Sequence, residues 1–246
     1  MRGAGPAVAA VVLLVAAIAV VVALAPALAL AQNAGPEAAA PGGGQSPPIY
    51  KPPLRGAPGG RVGGASRSAV RLTAPLPRVE LLAPADHTGL TASATPTLYF
   101  FVSRPVAVPA QFTISAPSQP APVLEVAIPS PPAAGFYPLR LADYRVRLQP
   151  GIAYTWSVSL VLDPNAWSRN IVASATILYD PQAGGLGAGG AAGGAGVAAL
   201  AGAGLWYDAV AAAAQGQNLD RHAALDALTR EVGLDRAARF AAGAGE

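Results

Sequence analysis

Leu148-Gln149-Pro150-Gly151-Ile152-Ala153-Tyr154-Thr155-Trp156-Ser157-Val158-Ser159-Leu160-Val161-Leu162 reads as a tight turn that feeds a strand. Pro150 presets its own backbone angle and Gly151 tolerates the left-handed region, so the pair supplies turn chemistry. Beyond it Tyr154, Trp156, Val158, Leu160 and Leu162 alternate, which puts them on one face of an extended chain. A tyrosine just inside a strand and a tryptophan two residues later are the corner-and-core pattern of a β-sandwich. Pro150, Gly151, Tyr154 and Trp156 are therefore taken as the structural corner.

The flanking sequence repeats the strand signal. Val79–Ala83, Thr97–Val102, Gln111–Ser115, Val123–Ile128, Phe136–Leu141, Tyr144–Leu148 and Asn170–Tyr179 are short runs rich in β-branched or aromatic residues, separated by Pro- and Gly-bearing turns. A polar loop with Asp86, His87 and Gly89 follows the first run. Seven or eight short strands with a turn every eight to fifteen residues predict a mainly β protein. The expected fold is an immunoglobulin- or fibronectin-like antiparallel β-sandwich over residues 79–180.

The chain ahead of that sandwich has three textures. In residues 1–31, Arg2 precedes an uncharged run from Ala7 to Ala25, Pro26 breaks it, and Ala29-Leu30-Ala31 fits the small-x-small cleavage rule. This predicts an export signal cleaved before Gln32, with an uncleaved membrane anchor as the alternative. Both readings expect a periplasmic or secreted protein. Residues 32–49 are a spacer of Ala, Gly and Pro with too little apolar variety to fold. Residues 50–78 form a basic arm: Lys51, Arg55, Arg61, Arg67, Arg71 and Arg78 with no acid, a local charge of +6 against +3 for the whole chain. After the sandwich, residues 181–204 read as a Gly/Ala-rich linker. Residues 205–246 form a short helical tail in which Leu225, Leu228 and Val232 make an apolar stripe and Gly233 ends a helix.

Chemistry-bearing motifs fail one by one. With no cysteine, the chain has no disulfide, thiol catalysis or thiolate metal site. Gly185-x-Gly187-x-x-Gly190 has the dinucleotide spacing, but a Gly/Ala tract produces that match by composition, and no strand–helix context surrounds it. Lys51 is the single lysine and follows no glycine loop, so a phosphate-binding P-loop is excluded. His87 in its polar loop and His222 on a helix read as solvated histidines. The carboxylates Glu125, Asp143, Asp163 and Asp180 carry no spacing that pairs them for hydrolysis, and Asp163-Pro164-Asn165 reads as a turn. No catalytic, cofactor-binding or metal residue is assigned.

What remains is recognition or bracing. Arg55, Arg61, Gly63, Gly64 and Arg67 in the arm, and Trp206, Tyr207 and Asp208 at the start of the tail, are the candidate recognition or brace residues. Export removes nucleic acid as a partner, which leaves an envelope protein or an anionic envelope polymer, and the membrane only through residues 1–31 if uncleaved.

Three blocks resemble the bacterial family DUF928, a domain of unknown function. They are Tyr50-Lys51-Pro52-Pro53-Leu54-Arg55-Gly56 through Arg61-Val62-Gly63-Gly64; Leu82-Ala83-Pro84 through Gly89-Leu90-Thr91 to Pro96–Phe100; and Tyr154-Thr155-Trp156, Asp163-Pro164 and Leu205–Ala209. The resemblance implies an exported single-domain sandwich with a short helical tail, and no reaction. Members often carry a cysteine before the Asp-Pro pair, where this chain has Leu162. The functional expectation is a non-catalytic extracytoplasmic binding or assembly module. A hydrolase of envelope glycans and a membrane-anchored sensory ectodomain are the alternatives.

Overall fold

A computed structural model describes residues 47–53, 62–63, 76–183, 196–216 and 218–243. The export segment, most of the spacer, Arg55, Arg61, Gly64, Arg67 and the Gly185–Gly190 run lie outside them. Nine strands are β1 (Val62–Gly63), β2 (Val79–Leu81), β3 (Gly89–Thr91), β4 (Thr97–Val102), β5 (Ala110–Ser115), β6 (Leu124–Ile128), β7 (Gly135–Arg140), β8 (Ala153–Leu160) and β9 (Ile171–Tyr179). Among the described residues four α-helices follow: α1 (Val197–Gly202), α2 (Trp206–Gln215), α3 (Asn218–Glu231) and α4 (Asp235–Ala241).

The strands form two sheets. One has the order β2-β4-β7, extended at its edge by the two-residue β1; the other has the order β3-β9-β8-β5-β6. The protein is thus mainly β, with a short C-terminal helical region. In the five-stranded sheet alternation separates the faces. Phe112, Ile114, Trp156, Val158, Ile171, Ala173 and Ile177 are buried inward, while Thr113, Ser157 and Ser174, in register across three strands, point outward.

β4 has no such alternation: Leu98 to Val102 are all buried. A strand buried on both faces needs cover on both, and the helices supply the second one. Phe240 of α4 packs its ring 5.2 Å from Phe101 and 5.7 Å from Phe136. Glu80 of β2 lies at the same layer, where its carboxylate accepts the Ala237 N–H at 3.3 Å and approaches Arg236 at 3.7 Å. A buried acid beneath the first turn of a helix meets free N–H groups there. Gly233 (φ +68°) closes α3, with the Leu234 N–H on the Thr229 carbonyl.

The corner is present. The Gln149 N–H donates to the Tyr154 hydroxyl at 3.2 Å, Gly151 takes φ +75°, and its N–H bonds the Tyr179 carbonyl. Trp156 is fully buried and sits edge-on to Phe112.

Four differences from the sequence reading have physical causes. The run Tyr144–Leu148 is not a strand: successive backbone bonds from Asp143, Tyr144 and Arg145 back to Arg140, Leu141 and Ala142 wind it into turns, and Arg145 has φ +56°. The sheets are not wholly antiparallel, because β3, read as loop, pairs parallel with β9; strands so far apart in sequence need no hairpin. Within the arm, Val62–Gly63 pairs with β2. Within residues 181–204, α1 forms and buries Leu200 and Ala201.

Tyr154→Phe removes the acceptor of a corner N–H and should cost on the order of 1 kcal/mol. The expected readout is a lower urea midpoint at unchanged slope; an unchanged midpoint would detach the corner from stability.

Candidate functional site

Residues 47–53 have no regular secondary structure, yet they are held. Tyr50 is 8% exposed. Its ring meets the Trp206 indole edge-on at 4.8 Å and stacks on the His87 imidazole at 5.5 Å. Its N–H donates to Glu231 Oε2 at 2.6 Å, at the end of α3, and the Lys51 N–H donates to the Ala201 carbonyl of α1 at 3.0 Å. The strap passes so close to the α1–α2 turn that a β-carbon on Gly204 (φ +75°) would lie 2.9 Å from the Lys51 carbonyl oxygen. Only glycine meets both demands.

His87 links this strap to the β2–β3 loop. Its Nδ1 lies 2.7 Å from Asp86 Oδ1 and its Nε2 2.7 Å from the Tyr50 hydroxyl. An ionised carboxylate only accepts, so Nδ1 carries a proton; in the neutral imidazole Nε2 then accepts from the phenol. Asp86, His87 and Tyr50 therefore have the connectivity of a catalytic relay. The electrostatics oppose that use. Burial, and then the Asp86 charge, push the Tyr50 phenol well above its ordinary range. A nucleophile needs its pKa lowered; this phenol stays protonated and acts as a hydrogen-bond donor. Beside the relay lies a cleft of about 520 Å³ lined by Tyr50, Pro52, Asp86, His87, Glu231 and Val232.

The second cluster is the start of α2. Trp206 and Tyr207 are fully buried, so neither ring presents a face to solvent. The Trp206 indole N–H donates to the Leu82 carbonyl at 2.8 Å. The Tyr207 hydroxyl accepts the Trp156 indole N–H at 2.9 Å and donates to the Thr176 carbonyl at 2.9 Å. Tyr207 fits because β3 has glycine at its approach: a β-carbon on Gly89 would be 2.7 Å from Tyr207 Cε2. Asp208 accepts the Ala92 N–H at 2.9 Å. Burial raises its pKa, opposed by bonds from Ala92 and the Thr91 hydroxyl. It also lines a second cavity of about 420 Å³ with Ser93, Thr95 and Thr97.

Trp206, Tyr207 and Asp208 are thus brought together as contacts between α2 and the β-sheet region. Gly63 is paired in β1, and Arg55, Arg61, Gly64 and Arg67 are outside the described residues. His87, read as solvated, is not: its side chain is 11% exposed and both nitrogens are engaged. His222 is exposed and contacts the Ala241 carbonyl. Three of the four carboxylates considered for hydrolysis make local bonds: Glu125 with Gln111, Asp163 with Arg169, and Asp180 with the Gln182 N–H. Sequence reasoning missed His87 and Glu231. The adjacency Asp86-His87 was the available signal, but the partner phenol lies 37 residues upstream. Among the described residues no group of three His, Asp or Glu is placed to hold a metal ion.

Residues 62–240 match the family described as Domain of Unknown Function (DUF928). The chain belongs to the DUF928 family. No curated protein and no solved structure matches it. In this DUF928 chain the family match contains His87, Gly204, Trp206, Tyr207 and Glu231, and begins after the strap.

Two variants test the cluster. Tyr207→Phe leaves the Trp156 N–H and the Thr176 carbonyl without their shared partner and should cost about 1–3 kcal/mol in chemical denaturation. For Asp208, a folded-state pKa above the unfolded one means that its stabilising contribution is full at low pH and is lost as pH rises through the raised value. The midpoint of Asp208→Asn relative to the parent should therefore climb as pH rises above the ordinary carboxylate range; a constant difference would contradict the burial effect.

Proposed function

We propose that the chain is an exported, non-catalytic β-sandwich module that acts in binding or envelope-associated assembly. The carrying observation is the Tyr50–His87–Asp86 chain. It has the form of a catalytic relay, but it ends on a phenol kept protonated by burial and by Asp86, and it spends its hydrogen bonds holding a segment of polypeptide in place. The Arg2–Ala31 pattern supports export, which sets periplasmic or secreted location and limits partners to an envelope protein or an anionic envelope polymer. Among the described residues no helix is long and apolar enough to cross a membrane; the alternative of a membrane-anchored sensory ectodomain rests on residues 1–31. The Tyr154 corner and the buried Trp156 support an immunoglobulin- or fibronectin-like version of the sandwich.

One observation favours a second reading, an envelope glycan hydrolase. Asp86 and Glu231 both line the 520 Å³ cleft, and paired carboxylates are the usual machinery of glycoside hydrolysis.

A single experiment separates the two. The mature chain from Gln32 is incubated with isolated envelope, and both retention on the pellet and release of reducing ends are measured. Saturable retention without sugar release supports the binding module, with Asp86→Asn and Glu231→Gln leaving sugar release at background. Hydrolysis that either substitution lowers by a hundredfold or more establishes the enzyme and ends the binding reading.

A further inference from the structure

We infer that the seat occupied by residues 47–53 is a peptide-recognition groove for an extended Tyr-x-Pro-Pro segment, filled in cis by the chain's own copy. The inference rests on the binding-module reading and names the class of partner it would take: a proline-flanked tyrosine peptide.

The strap engages the way a short linear ligand does. One side chain anchors it, Tyr50 at 8% exposure, whereas its neighbour Ile49 is 65% exposed and Lys51 and Pro52 are also exposed. The rest of the grip is on backbone N–H groups, from Tyr50 to Glu231 and from Lys51 to Ala201. Such bonds fix an extended peptide without reading its other side chains. Pro47, Pro48, Pro52 and Pro53 set their own φ and push the residues before them toward extended or polyproline conformations. The segment therefore loses little conformational freedom on docking.

The seat has support that does not come from the strap. His87 is oriented by Asp86. Trp206 is fixed by the Leu82 carbonyl. The Ala201 carbonyl belongs to α1, Gly204 to the turn after it, and Glu231 to the end of α3. All of these lie within residues 62–240, the span that matches the family, while the strap opens the first of the three blocks that resemble it. Beside the seated strap lies the 520 Å³ cleft, walled by Tyr50 and Pro52 on one side and by Asp86, whose side chain is 86% exposed, and the exposed Glu231 on the other.

The test keeps the full mature chain and places a protease site within residues 54–60. After cleavage and gel filtration, a fluorescent peptide of residues 46–54 (Ser-Pro-Pro-Ile-Tyr-Lys-Pro-Pro-Leu) is titrated by anisotropy. The expected result is saturable binding to the cleaved protein, at least tenfold weaker binding to the uncleaved one, and at least tenfold weaker binding of the peptide carrying Tyr50→Ala. Glu231→Gln in the protein should weaken binding severalfold. The proposal is overturned if the cleaved protein loses its cooperative thermal transition, because the strap is then part of the core. It is equally overturned if the strap neither leaves nor exchanges within a day, or if the peptide fails to bind the folded, cleaved protein more tightly than its Tyr50→Ala form. Should any of these occur while envelope retention persists, the binding module stands and only this groove falls.

Discussion

The structure depends on one buried hydroxyl. The Tyr207 phenol takes a proton donor from Trp156 in β8 and gives its own proton to the Thr176 carbonyl in β9. It joins the first turn of α2 to the two central strands of the five-stranded sheet. Trp156 is the largest side chain on the sheet's inner face, and its indole N–H has no water to turn to. An unpaired buried donor costs more than a single hydrogen bond contributes, so the tryptophan that fills the core requires the tyrosine that satisfies it. Tyr207 in turn requires Gly89, since any side chain there would occupy the ring's position.

From that joint the helical layer follows. Trp206, the neighbour of Tyr207, carries a second indole N–H to the Leu82 carbonyl, and the two aromatics fix α2 against both sheets. α4 is then carried onto the outer face of β4, where Phe240 covers Phe101 and Phe136. Its first turn settles over Glu80. A glutamate in a fully buried strand would be untenable against an apolar layer; here its carboxylate has N–H groups and Arg236 to meet.

Much of this architecture was legible. Strand alternation around Trp156, the Pro150-Gly151 corner and the Gly233 helix stop are local signals, and each sits where the chain predicts it. β4 was legible as a strand but not as one buried on both sides, although its unbroken Leu98-Tyr99-Phe100-Phe101-Val102 run held the information. The missing helical cover could have been inferred from it. β3 was not legible because a three-residue strand with glycine at one end has no period, and its parallel partner is far off in sequence. The candidate site was the least legible part. Asp86-His87 looks like any polar loop until Tyr50 arrives from upstream and Glu231 from the far end of the chain. Relays of this kind are assembled by topology, and no spacing announces them.

The strap and the core meet at Trp206, and their coupling there is reciprocal. The indole meets the Tyr50 ring edge-on at 4.8 Å, while its N–H is spent on the Leu82 carbonyl in the loop that also presents His87. Loosening α2 would therefore dismantle the seat, because both the aromatic wall and the neighbouring backbone would shift. The Leu82, Trp156, Thr176 and Ala92 hydrogen bonds of α2 are made without the strap, which adds the Tyr50 ring against Trp206 and the Lys51 N–H on the Ala201 carbonyl of α1. Under the proposed reading the strap is a ligand that shares the polypeptide, because the hydrogen bonds that fix α2 are made by other residues.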